Sequence, residues 1–428
     1  MGTADGTARG TDGTAQAAGG GVRALDDAGR AVGGAVRAVG ELTVRWAHGA
    51  TEGTAFSALG VWPLLAFLAD GAAGAARTEL AQALGTPAEE AAARARELLV
   101  LADGVSGLDA ALGLWTKRTL ELRPEWRAGL PTQAHGVLTG DPDDDRDALD
   151  AWARRLSGGL VDRMPVTLTP DTQMVLASAL ALRTDWQHPF SEVPVRPDAG
   201  PWRDRTLAGL HRRSPRVERV GVADTPAGPV TRLVVTGDNG IDVHLLLGEE
   251  RMTRGQVLEA GVGLLGGAHR LVLGTGLPHG NPGPGLRVEE EHCTAPQPPV
   301  LDVRTVGFEV RADHDLLDLD RLFGLSTAKD TGRGHFPGVS AFPLAVGSAG
   351  QSVVARFGPL GFRAAAVTAV AAAAGGIPQF RHTTTVVRAV FDRPFGFLAV
   401  NRGTGLVLVA GWVTDPAPYP DRSPFGPR

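Results

Sequence analysis

Residues 361–376 read GFRAAAVTAVAAAAGG, and residues 391–416 read FDRPFGFLAVNRGTGLVLVAGWVTDP. The first stretch contains a conflict. Alanine favours helix, yet Val367, Thr368 and Val370 bring β-branched side chains that suit a strand. Between Ala364 and Gly376 there is neither a proline nor a charge, so no lost ladder donor and no buried charge bars these residues from a sheet. The segment reads as a loop with the composition of a strand; the competing reading is an inert low-complexity linker in a chain rich in Ala and Gly. The second stretch is simpler. Phe391 to Leu398 is strand-like, Asn401 to Gly405 is a turn, and the apolar run Leu406 to Gly411 follows, closed by Asp415-Pro416.

Working outward, the chain has 428 residues, of which 43% are hydrophobic and 21% charged, with a net charge of −5. These values allow a sizeable core and give no electrostatic case for nucleic acid or an anionic membrane. The group Arg212, Arg213, Arg216 and Arg219 reads as a solvated strand edge. Cys293 is the single cysteine, so no internal disulfide forms. No apolar run reaches the length of a membrane span. Gly-Thr pairs at 2–3, 6–7, 10–11 and 13–14 lack an apolar core, so the N-terminus does not read as a signal peptide. Residues 1–20 are expected to be a flexible Gly/Thr/Ala-rich tail, and a cytoplasmic location follows as the expectation.

Helical spacing covers residues 36–50, 78–84, 87–101 and 147–160, the last with Leu149, Trp152, Leu156 and Leu160 on one face. Asp141-Pro-Asp-Asp-Asp places acids ahead of that helix, where the dipole favours them. The same acids do not make a calcium loop, which needs Gly and Glu where Arg146 and Trp152 stand. Strand-like alternation marks residues 230–235, 241–247, 300–310 and 352–357, and the Pro/Gly-rich 274–285 is a loop. Helices early and strands late predict an α+β fold.

Catalytic motifs are missing. There is no G-x-S-x-G, no P-loop, no G-x-G-x-x-G after a strand and no Cys pair, and the eleven histidines never fall at i, i+3 or i+4 spacing. The chain is therefore not read as an enzyme, and no metal or cofactor is expected.

The tail quoted above resembles the C-terminal signature of the serpins, where a strand, a turn and a second buried strand follow a reactive loop. Three upstream stretches carry the same resemblance: Phe56-Ser57 with the apolar run to Leu68, then 71–79 and Leu84-Gly85; VLASALALRTDWQHPF at 175–190, with its W-x-x-P-F turn; and Leu322-Phe323-Gly324-Leu325 with Phe336 to Ser340. The resemblance spans residues 36–416. It implies one domain over 21–428, with several N-terminal helices around three β-sheets and an exposed loop at about 359–385. It also implies a monomeric suicide-substrate inhibitor of a serine protease, cut in that loop, which then inserts as a strand. The alternative is a non-inhibitory binding protein whose loop is cut without trapping. Many serpins act outside cells, so an extracellular location is the second expectation.

Taking Gly361 as the family's hinge glycine makes Phe362, Ala364, Ala366, Thr368, Val370, Ala372 and Ala374 the inward face of an inserted strand. Counting in the family's convention puts the reactive bond at Gly375-Gly376, which suits an elastase-like or subtilisin-like protease; Arg381-His382 is the alternative, for a trypsin-like one. Where the family has an Asn and a His at the opening of the sheet, this chain has Ser178 and Gln351, and Trp186 is retained. Two departures stand out. The acidic residues usual before the hinge are missing, and Phe362 replaces a small residue at the first inserting position, where overfilling costs about 1–3 kcal/mol.

Overall fold

The structure is a computed structural model that describes residues 33–362 and 381–419. The apolar run after Ser57 becomes the helix Ala58–Gly71, whose residues are all buried except Asp70. A helix hydrophobic all round belongs inside a domain. The Ser57 hydroxyl caps it by accepting the Gly60 N–H, and the helices 33–49, Gly74–Leu84 and Ala88–Asp103 surround it.

The acidic cluster sets the start of the next long helix. This helix runs Pro142–Leu156, with the Asp141 carboxylate accepting the N–H groups of Asp143 and Asp144 and Pro142 at the first position. It therefore begins earlier than the 147 expected from apolar spacing, because cap chemistry rather than periodicity fixes the N-terminus. It also ends before Leu160, since Gly158 and Gly159 follow at positive φ.

Eight helices and three sheets make the fold α+β among the described residues. The first sheet has seven strands in the order Ala55–Phe56, Val407–Val413, Phe395–Asn401, Ile241–Gly248, Val230–Thr236, Val220–Ala223, Leu271–Leu273. The second has five: Leu286–Cys293, His382–Val390, Val300–Val306, Leu207–Ser214, Ser191–Val195. The third, which carries the hinge, has five: Phe308–Asp315, Val346–Phe357, Met174–Leu182, Leu108–Lys117, His135–Leu138.

Two expectations are corrected here. Residues 300–310 are not one strand: the chain leaves the second sheet at Val306 and enters the third at Phe308. Gly307 sits at the crossing and donates its N–H to the Ala208 carbonyl. Alternation reports which face a residue takes and not which sheet it joins. The helix Arg254–Leu265 also falls among the strands of the second half, started by a Thr253/Gln256 capping box.

The strand that receives the loop's far end lies inside its sheet. His382–Val390 pairs antiparallel with Leu286–Cys293, from Leu286↔Ala389 to Cys293↔His382, and parallel with Val300–Val306. Arg388 on this strand donates to Glu289 at 2.6 Å, Glu291 at 3.1 Å and Asp302 at 3.1 Å. Asp302 is buried, and the Arg388 guanidinium and the His211 ring both reach it.

Acid sensitivity is built into the first sheet. His244, opposite Val234 and Leu398, is 7% exposed. Burial, reinforced by the Arg232 charge and partly opposed by Asp242, holds its imidazole down at about 4. Between that value and the ordinary imidazole range near 6.5 the unfolded chain binds more protons than the folded one, so stability falls as pH falls. Thermal unfolding is expected to show Tm dropping from neutral pH to about pH 4, with a shallower slope in His244→Leu. Parallel pH profiles for parent and variant would refute this assignment.

Candidate functional site

The site is built on the two middle strands of the third sheet. Met174–Leu182 and Val346–Phe357 run parallel, in register from Ser348↔Val175 to Val354↔Ala181. Every residue of Met174–Leu182 is buried. In the middle of the ladder Ala177, Ser178 and Ala179 on one strand lie beside Gly350, Gln351 and Ser352 on the other, with the larger pairs Leu176↔Ala349 and Leu180↔Val353 on either side.

Gln351 stands opposite Ser178 and is fully buried. Its amide donates to the Ser178 hydroxyl at 3.3 Å and to the Ser57 carbonyl at 2.9 Å, while its side-chain oxygen accepts the Ser57 N–H at 2.8 Å. The Ser57 hydroxyl in turn donates to the Leu408 carbonyl at 2.6 Å. One buried network thus joins the ladder, the start of the central helix and the first sheet. Gly60 lies against it, where a Cβ would overlap the Ser178 hydroxyl.

The hinge is at the other end of the ladder. Pairing between the middle strands stops at Val354↔Ala181, although the second strand continues to Phe357. The chain then turns, with the Gly358 N–H donating to the Gly361 carbonyl at 2.9 Å. Trp186 clamps this turn: its backbone N–H donates to the Leu360 carbonyl at 2.8 Å and its indole N–H to the Gly358 carbonyl at 2.9 Å. Its ring packs 4.9 Å from that of Phe357. The Phe190 N–H donates to the Pro359 carbonyl at 2.8 Å.

Beyond the turn Gly361 forms an antiparallel bridge with Asp185, and the Phe362 N–H donates to the Thr184 carbonyl at 2.8 Å. Gly361 fits by close approach, since a Cβ there would overlap the Thr184 carbonyl oxygen. Phe362 is 1% exposed, with its ring 6.1 Å from that of Phe397. The sequence reading charged Phe362 with overfilling the core on insertion. In the structure the ring occupies a core position beside Phe397.

Ser178 and Gln351 meet mid-ladder, while Trp186, Gly361 and Phe362 meet at its end. Arg381 is exposed, and His382 opens the strand paired at Cys293. Ala364, Ala366, Thr368, Val370, Gly375 and Gly376 lie outside the described residues. The sequence reading missed Ser57 and Gly60 as members of the network, and Thr184 as the hinge acceptor. Ser57 had a signal, a serine directly before an apolar helical run; Thr184 had none, because its part is played by a backbone carbonyl. Among the described residues no group of three or more His, Cys, Asp or Glu is placed to hold a metal ion.

The family model described as Serpin (serine protease inhibitor) matches residues 38–199. Putative serpin-Z8 of Oryza sativa subsp. japonica is 25% identical over 403 residues, covering 85% of this chain and 90% of the relative.

The chain is similar to the serpins along most of its length.

Solved serpin structures share its fold. The thermophilic serpin tengpin in the native state gives a TM-score of 0.69 at 14% identity, over 89% of this chain and 94% of that one. Thyroxine-binding globulin in complex with thyroxine gives 0.64 at 17% identity, over 90% and 99%. At such identities the likeness speaks for the fold alone. Sequence matches and fold together point to the serpin type, whose members are generally protease inhibitors rather than enzymes. No described helix of the chain is long and apolar enough to cross a membrane.

Replacing Gln351 by Leu would strand the Ser57 N–H and carbonyl and the Ser178 hydroxyl in the core. A buried polar group without a partner costs about 1–3 kcal/mol, so Gln351→Leu is expected to lower the Tm of the uncut chain by several degrees. An unchanged melting curve would show that the ladder does not rest on this amide.

Proposed function

We propose that this chain inhibits a serine protease as a suicide substrate, through cleavage of its loop and insertion of the freed segment between the two middle strands of the third sheet. The observation that carries the reading is strand direction. The two middle strands are parallel, and the chain leaving one of them reverses at residues 358–361. A strand formed by the residues that follow therefore runs antiparallel to both neighbours. One parallel ladder is exchanged for two antiparallel ones, and antiparallel pairing is slightly the more stable per residue. The Gly361–Asp185 bridge already runs in that direction.

In this reading the protease serine attacks the carbonyl before the cut bond, an ester forms and the new amine departs with the C-terminal segment. Insertion then carries the esterified protease away before water can attack the ester. Four hydrogen bonds hold the hinge turn to Thr184, Trp186 and Phe190. Breaking them costs about 1 kcal/mol each, a modest sum beside a full strand's pairing and burial. The position of His382 favours Gly375-Gly376 over Arg381-His382 as the reactive bond. His382 is already paired within a sheet, and a protease cleft needs free extended chain on both sides of the bond. An elastase-like or subtilisin-like target follows.

The second reading, a binding protein cut without trapping, draws support from an open groove of about 1010 Å³ between the helices 33–49 and Arg254–Leu265. Val36, Val44, Val262 and Leu265 give it an apolar lining, and the fold is shared with thyroxine-binding globulin.

Mixing the chain with elastase-like, subtilisin-like and trypsin-like proteases separates the two. The inhibitor reading expects an SDS-resistant covalent complex with at least one of them, and a large rise in Tm for the cut chain. Clean cleavage by all three, without complex or Tm rise, would replace it with the binding-protein reading.

A further inference from the structure

The arginine group at 212–219 does not behave as one solvated edge. Arg213 does: it is exposed and pairs with Glu291 at 3.3 Å. Arg212, its neighbour on the strand Leu207–Ser214, turns instead into a recess bounded by Gln187, His188, Ser214, Arg216 and Arg219. One of its terminal nitrogens donates to the His188 carbonyl at 2.6 Å, and its guanidinium lies 4.3 Å from the Phe190 ring centre. Its Nε is buried with no hydrogen-bond partner. Burial, then the charge of Arg219, push the guanidinium down to about 10.

The recess is therefore short of negative charge. Its lining brings three arginines and no carboxylate. Arg216 reaches Glu218 at 3.7 Å on the exposed side, while Arg212 and Arg219 have no ion-pair partner among the described residues. Two guanidinium groups that repel each other next to a low-dielectric wall are costly unless a counter-charge completes them. Planar guanidinium forks match the oxygens of sulfate and phosphate two at a time. The Gln187 amide and the Ser214 hydroxyl add neutral donors at the rim.

We propose that this recess is an oxyanion site for a sulfate or phosphate group, held by Arg212, Arg216 and Arg219. It adjoins the hinge through two contacts. Arg212 grips the His188 carbonyl and covers the Phe190 ring, and the Phe190 N–H holds the Pro359 carbonyl. An anion bound there braces the turn that clamps residues 358–361.

The test is thermal unfolding of the full chain in low-millimolar sodium sulfate or phosphate, against sodium chloride at matched ionic strength. Ligand bound only to the folded state raises Tm with the logarithm of one plus the ratio of free ligand concentration to Kd. The expected result is a rise with sulfate that follows this dependence and exceeds the rise with chloride, abolished in Arg219→Gln and kept in Arg213→Gln. Arg216→Gln, on the exposed side, serves as the second variant should Arg219→Gln not fold. Responses to sulfate and chloride that coincide, or a sulfate response that survives in both recess variants, would overturn the site. A sulfated oligosaccharide in place of free sulfate identifies the source. An equal Tm rise at a lower sulfate-group concentration, also lost in the recess variants, assigns a polysaccharide; an equal rise only at the same concentration assigns the free ion.

Discussion

A single buried side-chain amide, that of Gln351, holds the middle of the third sheet together. Both of its polar atoms are used, in three bonds that reach two parts of the molecule: one to the neighbouring strand at Ser178 and two to the helix start at Ser57. From Ser57 the chain of bonds continues to Leu408 in the first sheet. The ladder it crosses is parallel, and at its middle the flanking residues Ala177, Ala179, Gly350 and Ser352 are small. There the strands are joined chiefly by hydrogen bonds, which are directional and can be exchanged one for another.

The hinge follows the same logic at the far end of the ladder. Pairing ends at Val354↔Ala181, and the space beyond is filled by the chain turning back on itself, with Gly361 against Thr184 and Phe362 inside the core. Trp186 contributes two hydrogen bonds and a ring contact to that turn. It packs the core and clamps the hinge from the same position, so the two readings of this residue do not compete.

Much of this was legible in the sequence, for identifiable reasons. The central helix and the strand Met174–Leu182 are apolar throughout, the turn at 401–405 has its glycines and asparagine, and the order of four motifs brought out the family. The less legible parts were decided by contacts distant in the chain. Nothing in local alternation marks Gly307 as the point where one sheet becomes another, and the start of the helix Pro142–Leu156 depended on a cap outside its apolar repeat. The size of Phe362 is visible in the sequence, while its packing beside Phe397 is not. Arg212 and Arg213 are adjacent and identical in type, and only the fold separates the half-buried one from the exposed one.

The strand His382–Val390 is enclosed on both sides, by Leu286–Cys293 and by Val300–Val306. Under the proposed mechanism this makes covalent continuity itself the restraint. One end of the loop continues the third sheet, and the other is anchored in the interior of the second, so an intact loop cannot reach deep into the ladder without unpairing two strands elsewhere. Hydrolysis of one peptide bond alters almost no contact at the moment it occurs, yet it lets the two ends move independently. The uncut form would then persist because of how the chain is connected, whatever its depth in free energy.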